Sequence, residues 1–427
     1  AAWWYGDPSA ELGVVGITGT DGKTTTSFLA TAALEAAGVP TGMLGTAALE
    51  IGDLQEPNPE HATTPEAPRL QAILRAMVRA GDRAAIVETT SHGLALDRVA
   101  GIRYDVAILT NVTREHLELH GTWEAYRAAK LLLFERLAVG PANPAKGLPG
   151  WPRTGIINAA DPSADVFADA TRRAGARVVT YTSDPSRHPG DVRATDIRAE
   201  ALGGGIHVAY ATPTTTGEVR TPLSGGFNVD NLLAVVALGE ALGLDPERIR
   251  AGLASVAVVP GRMERIDAGQ PFDVVVDFAH TAASLEGVLG ELGRHAAARG
   301  GSVIAVFGSA GERDTAKRPE MGRVAGERCR IVIVTDEDPR GEDREAILAE
   351  IGAGAAAAGR VDGRDLLRIA DRATAIRIAF ERARPGDVVL LAGKGHERTI
   401  EYADGDLPWN EGAEARAALA ELGWAGN

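Results

Sequence analysis

Short runs of apolar, mostly β-branched residues recur along the chain at 14–17, 85–87, 106–109, 155–157, 178–181, 274–276, 303–307, 331–335 and 388–392, between longer stretches rich in Ala, Leu, Glu and Arg. Runs of that length read as buried strands, and their alternation with helix-forming stretches implies parallel sheets of an α/β protein. Between 191 and 222 the pattern changes to a Thr-rich alternation around Gly203-Gly204-Gly205, which predicts a local antiparallel excursion before a helix starting near Asn228. Asp245-Pro246-Glu247 reads as a helix start with proline in the first turn. The Pro- and Gly-rich 140–152 predicts an exposed loop, and the Ala/Gly-rich 351–359 a helix end running into a loop. Pro260-Gly261 punctuates the chain just before a new series of strand–helix units. Two domains are expected, 1–259 and 260–427.

Composition narrows the chemistry. At 427 residues the chain is about three times the length expected of one domain. Lys plus Arg number 44 against 58 Asp plus Glu, a net charge of −14, so no broad basic surface for nucleic acid is expected and any phosphate binding must be local. The single cysteine, Cys329, excludes an intramolecular disulfide framework and a thiolate zinc cluster. No apolar run approaches the roughly 18 residues of a membrane span, and the N-terminus lacks a basic-then-apolar signal pattern. The expectation is a cytoplasmic monomer that acts on small molecules, with no nucleic-acid or membrane partner.

One segment carries strong chemistry on its own. Gly16-Ile17-Thr18-Gly19-Thr20-Asp21-Gly22-Lys23-Thr24-Thr25-Thr26 follows a predicted strand and opens a predicted helix. Backbone N–H groups of such a loop and the helix N-terminus offer fixed positive charge to a polyphosphate; Lys23 reaches the outer phosphates and the Thr24 hydroxyl ligates Mg²⁺. Asp21 has no evident role beside a triphosphate. Glu88 ends a buried-looking strand, where a carboxylate is costly unless it joins an ion pair or a metal. His116 and His120 stand four apart, but the Glu that zinc proteases carry directly after the first His is missing. Thr63 and Thr64 before Pro65, and Asn228, each have a helix-capping alternative. Lys130 alone reads as a helix-surface lysine.

The loop Thr18-Gly19-Thr20-Asp21-Gly22-Lys23-Thr24-Thr25 resembles the ATP loop of the Mur ligases, and further segments resemble the MurE branch, which adds the third peptide residue to the cell-wall precursor. They are Thr63-Thr64-Pro65-Glu66, Glu88-Thr89-Thr90-Ser91-His92-Gly93-Leu94, Thr110-Asn111-Val112 through His116 to His120-Gly121, Gly226-Phe227-Asn228 to Asn231, and Pro260-Gly261-Arg262. Asp277-Phe278-Ala279-His280-Thr281, Phe307 through Arg313 to Pro319, Asp338-Pro339-Arg340 and Gly393-Lys394-Gly395-His396-Glu397 complete the series.

The resemblance implies a P-loop-type central ATPase domain followed by a Rossmann-like C-terminal domain. It also implies an ATP-dependent amide ligase that works through an acyl phosphate. By resemblance Gly19, Thr20, Gly22, Lys23, Thr24, Thr25, Asn228, Asn231, Arg262, Asp277 and His280 bind ATP. Lys23, Glu88, His116 and Lys130 serve catalysis. Two Mg²⁺ ions are implied on Thr24, Glu88, His116 and Lys130, the last as a carbamate, while His120 is structural or orienting. Thr63, Thr64, Thr90 and Arg98 face the muramoyl-peptide acceptor. Arg313, Glu337, Asp338, Pro339, Arg340, Gly393 and Glu397 face the incoming amino acid, meso-diaminopimelate in the branch with these arginines, with lysine and ornithine as alternatives.

Four departures from the family pattern stand out. Ala282-Ala283 replace Pro-Asp, Asp338 replaces an asparagine, and Leu96 stands where a polar residue is usual. The phosphate loop begins so early that the separate uridine-binding domain is expected to be missing, with 1–13 as the remaining linker. A carrier other than the nucleotide sugar is therefore an alternative acceptor. A non-catalytic ligase-like subunit is the competing class, opposed by the joint retention of Lys23, Glu88, His116 and Lys130.

Overall fold

A computed structural model describes residues 1–58, 62–113, 117–138, 151–200 and 202–424. His116 lies outside them, as does all of the predicted 140–152 loop except Trp151 and Pro152. Trp151 is buried, its ring lying where a Cβ on Gly13 would stand. The chain divides into two compact units, Ala1–Glu200 with Gly204–Ala257, and Ala201–Gly203 with Val258–Asn427.

The first unit is built on an eleven-stranded sheet. Its middle is parallel, in the spatial order Arg177–Thr182, Thr154–Asn158, Val106–Leu109, Gly13–Thr18, Ala84–Glu88, Thr41–Leu44. The strands Gly13–Thr18, Ala84–Glu88, Val106–Leu109 and Thr154–Asn158 are buried throughout, which is why they read as unbroken apolar runs and not as alternation. Beyond Arg177–Thr182 the sheet continues through Val192–Ala199 and then turns antiparallel in Ile206–Ala211 and Thr216–Thr221, the excursion that the threonine alternation predicts. The opposite edge adds Ala48–Ile51 and Leu54–Pro57, short and partly or wholly exposed strands with no apolar run to announce them. The helix Asn228–Leu242 starts at the predicted residue. Pro246–Ser255 follows, its N-terminus capped by the Asp245 carboxylate, which accepts from the Glu247 amide at 2.9 Å.

The second unit has a six-stranded sheet ordered Glu264–Ile266, Asp273–Asp277, Val388–Ala392, Val303–Phe307, Ile331–Val334, Leu366–Arg368, parallel except for the first strand. Alternate side chains feed two cores. Val275, Ala305 and Leu390 pack with the helices Ala282–Ala298, Lys317–Arg328 and Arg344–Ala357, while Val274, Val306 and Leu391 pack with Arg372–Arg382 and Glu411–Glu421. Helices on both faces of a parallel sheet make this a doubly wound α/β unit, as expected. The substitution of Ala282-Ala283 is accommodated locally: Thr281 and Ser284 form a reciprocal capping box that starts the helix without them. The phosphate loop and Glu88 in the first unit, and Asp277, Asp338 and Gly393 in the second, lie at or just beyond the carboxyl ends of parallel strands, where such sheets place ligands. Among the described residues no helix is long and apolar enough to cross a membrane.

Candidate active site

In the first unit, Gly13–Thr18 ends at the phosphate loop and the helix Lys23–Ala36 begins beyond it. Gly19 has φ +154°, and a Cβ there would stand 1.8 Å from Thr110 Oγ1, so no larger residue fits. The loop is braced through the backbone of Asp21, whose amide donates to Asn111 Oδ1 (3.0 Å) and whose carbonyl accepts from Thr110 Oγ1 (2.6 Å). This backbone clamp is what the structure shows for a residue with no legible role in the sequence.

Lys23 Nζ donates to the carbonyls of Gly19 (2.9 Å) and Thr20 (2.7 Å). Lys130, from the helix Trp123–Glu135, donates to the same Gly19 oxygen at 2.7 Å and lies over the Tyr126 ring. It is 2% exposed, which overturns its reading as a surface lysine. Two ammonium groups on one carbonyl form a focus of positive charge in the loop that the sequence assigns to polyphosphate.

Glu88 closes its strand fully buried. Its Oε2 accepts from Thr24 Oγ1 (3.2 Å) and Thr46 Oγ1 (2.8 Å), and its Oε1 from the Thr46 amide (2.9 Å). Every one of these donors is neutral, and among the described residues no cation pairs with Glu88. An anionic carboxylate beside a threonine hydroxyl is the all-oxygen donor set that a hard cation such as Mg²⁺ prefers. Among the described residues no group of three or more His, Cys, Asp or Glu could hold a metal. His120 packs its ring against those of His92 and Tyr126.

The four residues expected to face the acceptor form one network with Glu88. Thr64 Oγ1 donates to the Glu88 carbonyl (2.9 Å) and accepts from the Thr90 amide (3.1 Å) and hydroxyl (3.0 Å). Thr63 shares a hydrogen bond with Thr46, and Arg98 donates to the Thr64 carbonyl. Neither threonine caps the helix Ala67–Ala80, whose N-cap is Glu66. Asn228 is the first residue of its helix and no cap either: its Oδ1 accepts from Asn231 Nδ2 (2.8 Å), and Asn231 Oδ1 accepts from Thr26 (3.1 Å) while lying 2.5 Å from where a Cβ on Gly22 would stand. The asparagine pair thus backs the phosphate loop.

In the second unit, Asp277 accepts the amides of Met263 and Ala279, both at 2.8 Å. Beside it the Phe278 ring carries the Arg262 guanidinium at 4.5 Å and the His280 and His396 rings at 4.6 and 5.0 Å. Arg262, Asp277 and His280 are therefore gathered at one strand end.

Of the predicted amino-acid residues, Glu337, Asp338, Arg340, Gly393 and Glu397 cluster through Lys394 and Glu401, with changed roles. Asp338, which the sequence leaves as an acid in place of a donor, is buried and accepts from Lys394 Nζ at 2.7 Å and from the Glu401 amide at 2.9 Å. Arg340 donates from Nε to Glu401 Oε2 (2.7 Å) and from Nη1 to the Gly311 carbonyl (2.8 Å). Lys394 also reaches Glu397 Oε2 at 2.5 Å. Crowding out of water, reinforced by Asp338 and Glu337 and opposed by Lys394, pushes the Glu397 carboxyl up to about 7. Glu337 is buried, with Oε2 lacking a hydrogen-bond partner and facing Gly393. Arg313 is exposed.

Sequence reasoning misses several residues that hold this arrangement. Thr46 has no motif around it, and Glu401 stands on the hairpin strand Thr399–Tyr402, too short to read. Lys394, between two glycines of a quoted segment, was the most findable. Arg372 is buried and donates to the carbonyls of Asp336 (3.0 Å) and Ala392 (2.8 Å), tying together the two loops that bear Asp338 and Lys394, while Glu411 pairs with it.

Residues 17–239 match the Mur ligase middle domain and residues 261–395 the Mur ligase glutamate ligase domain. A UDP-N-acetylmuramyl-tripeptide synthetase of Roseiflexus sp. is 50% identical over 428 aligned residues, which span all of this chain and 82% of that protein. One from Deinococcus radiodurans is 44% identical, covering 99% of this chain and 81% of its own. A UDP-N-acetylmuramoyl-L-alanyl-D-glutamate–2,6-diaminopimelate ligase of Geobacter metallireducens is 40% identical, with 99% and 81% covered. A solved diaminopimelate ligase structure of the same description superposes with a TM-score of 0.61 at 31% identity, over 96% of this chain and 79% of that one. The phosphate loop, the buried Glu88 and the strand-end cluster of the second unit thus stand in a chain that belongs to the Mur ligase family, in its MurE branch of ATP-dependent ligases.

Proposed function

We propose that the chain joins a diamino acid to the free carboxylate of a muramoyl-dipeptide acceptor, through an acyl phosphate, in cell-wall precursor synthesis. The observation that carries this reading is Lys23 held on the Gly19 and Thr20 carbonyls of the phosphate loop, beside the Thr24–Glu88 pair. An anionic carboxylate approaches an anionic triphosphate only where fixed cations offset their repulsion. The acceptor oxygen attacks the γ-phosphorus, the bond to the ADP oxygen breaks, and the amine then attacks the acyl carbon. Phosphate departs with the bridging oxygen, and the amine loses a proton.

In this reading the cradle of Gly19, Thr20, Gly22, Lys23, Thr24 and Thr25 grips the phosphates, and Asn228 and Asn231 serve the nucleotide from behind the loop. Arg262, Asp277 and His280 are assigned to the nucleotide by the resemblance. Thr63, Thr64, Thr90 and Arg98 orient the acceptor. Thr24, Glu88, His116 and a carbamylated Lys130 would together hold the magnesium ions. Bound magnesium neutralises phosphate charge and polarises the phosphoryl oxygens. Diaminopimelate is the amino acid in the Geobacter protein's name and the one that the family resemblance at Arg313 and Arg340 implies. Lysine and ornithine are the alternatives.

The test is isotopic. With ¹⁸O in the acceptor carboxylate, one labelled oxygen should appear in released phosphate for each amide formed. Amide formation that leaves the phosphate unlabelled would remove the acyl phosphate.

A further inference from the structure

Arg340 is the residue expected to receive a second substrate carboxylate, yet its charge is already answered within the chain. Its Nε donates to Glu401 Oε2 at 2.7 Å, its amide donates to the Glu401 carbonyl at 2.9 Å, and Nη1 is held by the Gly311 carbonyl. The Glu401 amide in turn donates to Asp338, so the strand Thr399–Tyr402 is laced to the 338–340 loop at both residues. Its neighbour Tyr402 donates to Asp336 Oδ2 at 3.1 Å.

Charge bookkeeping around this strap is lopsided. Asp336, Glu337, Asp338, Glu397, Glu401 and Glu411 face Arg340, Arg344, Arg372 and Lys394, so full ionisation leaves two negative charges uncompensated. Glu337 is 6% exposed, and its Oε2 has no hydrogen-bond partner among the described residues. A ligand that brought another carboxylate would add a third charge of the same sign, whereas an ammonium would offset one.

Resting on the ligase reading above, we infer that Glu401 sets amino-acid choice: by neutralising Arg340 it turns the site toward a diamino acid whose distal end is an ammonium without a carboxylate. Glu337 and Glu397 are the acids that this ammonium meets. The exposed Arg313, which has no ion pair among the described residues, is left for the main-chain carboxylate common to all amino acids. Retention of Arg340 is then explained by its bonds to Glu401 and Gly311, which hold the hairpin against the 338–340 loop.

The experiment measures kcat/KM for lysine, ornithine and meso-diaminopimelate, by phosphate release and by ligated product, in the wild type and in Glu401→Gln. The wild type should prefer lysine or ornithine to diaminopimelate by about tenfold or more, the scale of one charge-assisted contact. Glu401→Gln, which frees the guanidinium charge, should shift that ratio toward diaminopimelate by about the same factor. A wild-type preference for diaminopimelate overturns the inference, and so does an unchanged ratio in a variant whose Tm matches the wild type. Should Glu401→Gln not fold, the wild-type ratio decides alone. Ligation of none of the three amino acids would instead overturn the ligase reading, and the inference with it.

Discussion

Glu397 shows how a single carboxyl can report on this site. Burial among Asp338 and Glu337 raises it to about 7 despite Lys394 at 2.5 Å. A carboxyl that keeps its proton until about pH 7 offers an ammonium ligand a full negative charge only above that point. The amino acid's Kd, measured calorimetrically with acceptor and a non-hydrolysable ATP analogue, should therefore fall as pH rises from 6 to 8, by at most about tenfold per unit. Glu397→Gln should flatten the profile, and an equally steep profile in that variant would exclude Glu397 as its source. In the sequence Glu397 was legible as a candidate, because it sits in a family segment. Its partner Lys394 was visible only as a motif letter, since a local pattern does not reveal that two acids from separate segments share one ammonium. Lys130 was legible only through the resemblance: nothing in Tyr126-Arg127-Ala128-Ala129-Lys130 says that this lysine is buried.

The elements divide in the same way. Nine apolar runs became nine strands; eight are buried throughout, as parallel strands covered on both faces must be, and Arg177–Thr182 is partly exposed. Thr41–Leu44, Leu54–Pro57 and the hairpin of Thr399–Tyr402 with Gly405–Pro408 stayed hidden, being short, polar or at an edge. The Ala/Gly-rich 351–359 does end a helix, but its composition has a second cause. In the helix pair Lys317–Arg328 and Arg344–Ala357, a Cβ on Gly354 would stand 1.8 Å from the Pro319 carbonyl oxygen, and one on Gly322 would stand 1.9 Å from that of Ile351. Small residues there let two backbones touch. Gly354→Ala should force the helices apart and cost about 1–3 kcal/mol, overpacking outweighing the better helix propensity of alanine. Urea denaturation gives the sign: a variant as stable as the wild type would mean that the pair yields freely.

Across the molecule, burial decides what the lone cysteine can do. Cys329 is 2% exposed at the end of the helix Lys317–Arg328, and desolvation pushes its thiol up to about 12. The native protein should resist a water-soluble thiol reagent at pH 8 and react with one equivalent in denaturant, as followed by absorbance. Rapid labelling of the folded protein would contradict this burial.

The shared carbonyl of Gly19 has a consequence for the protein's response to a dissolved gas. Carbonation of Lys130, as proposed, would place an anion beside Lys23 where two cations now donate to one oxygen, exchanging repulsion for attraction. Carbon dioxide would then behave as a ligand of the folded state alone, and folding would be linked to its concentration. Wild-type protein degassed under nitrogen should melt at a lower temperature than the same sample in bicarbonate buffer of equal pH and ionic strength. Lys130→Ala should show no such difference, and a shift persisting in that variant would place the effect elsewhere.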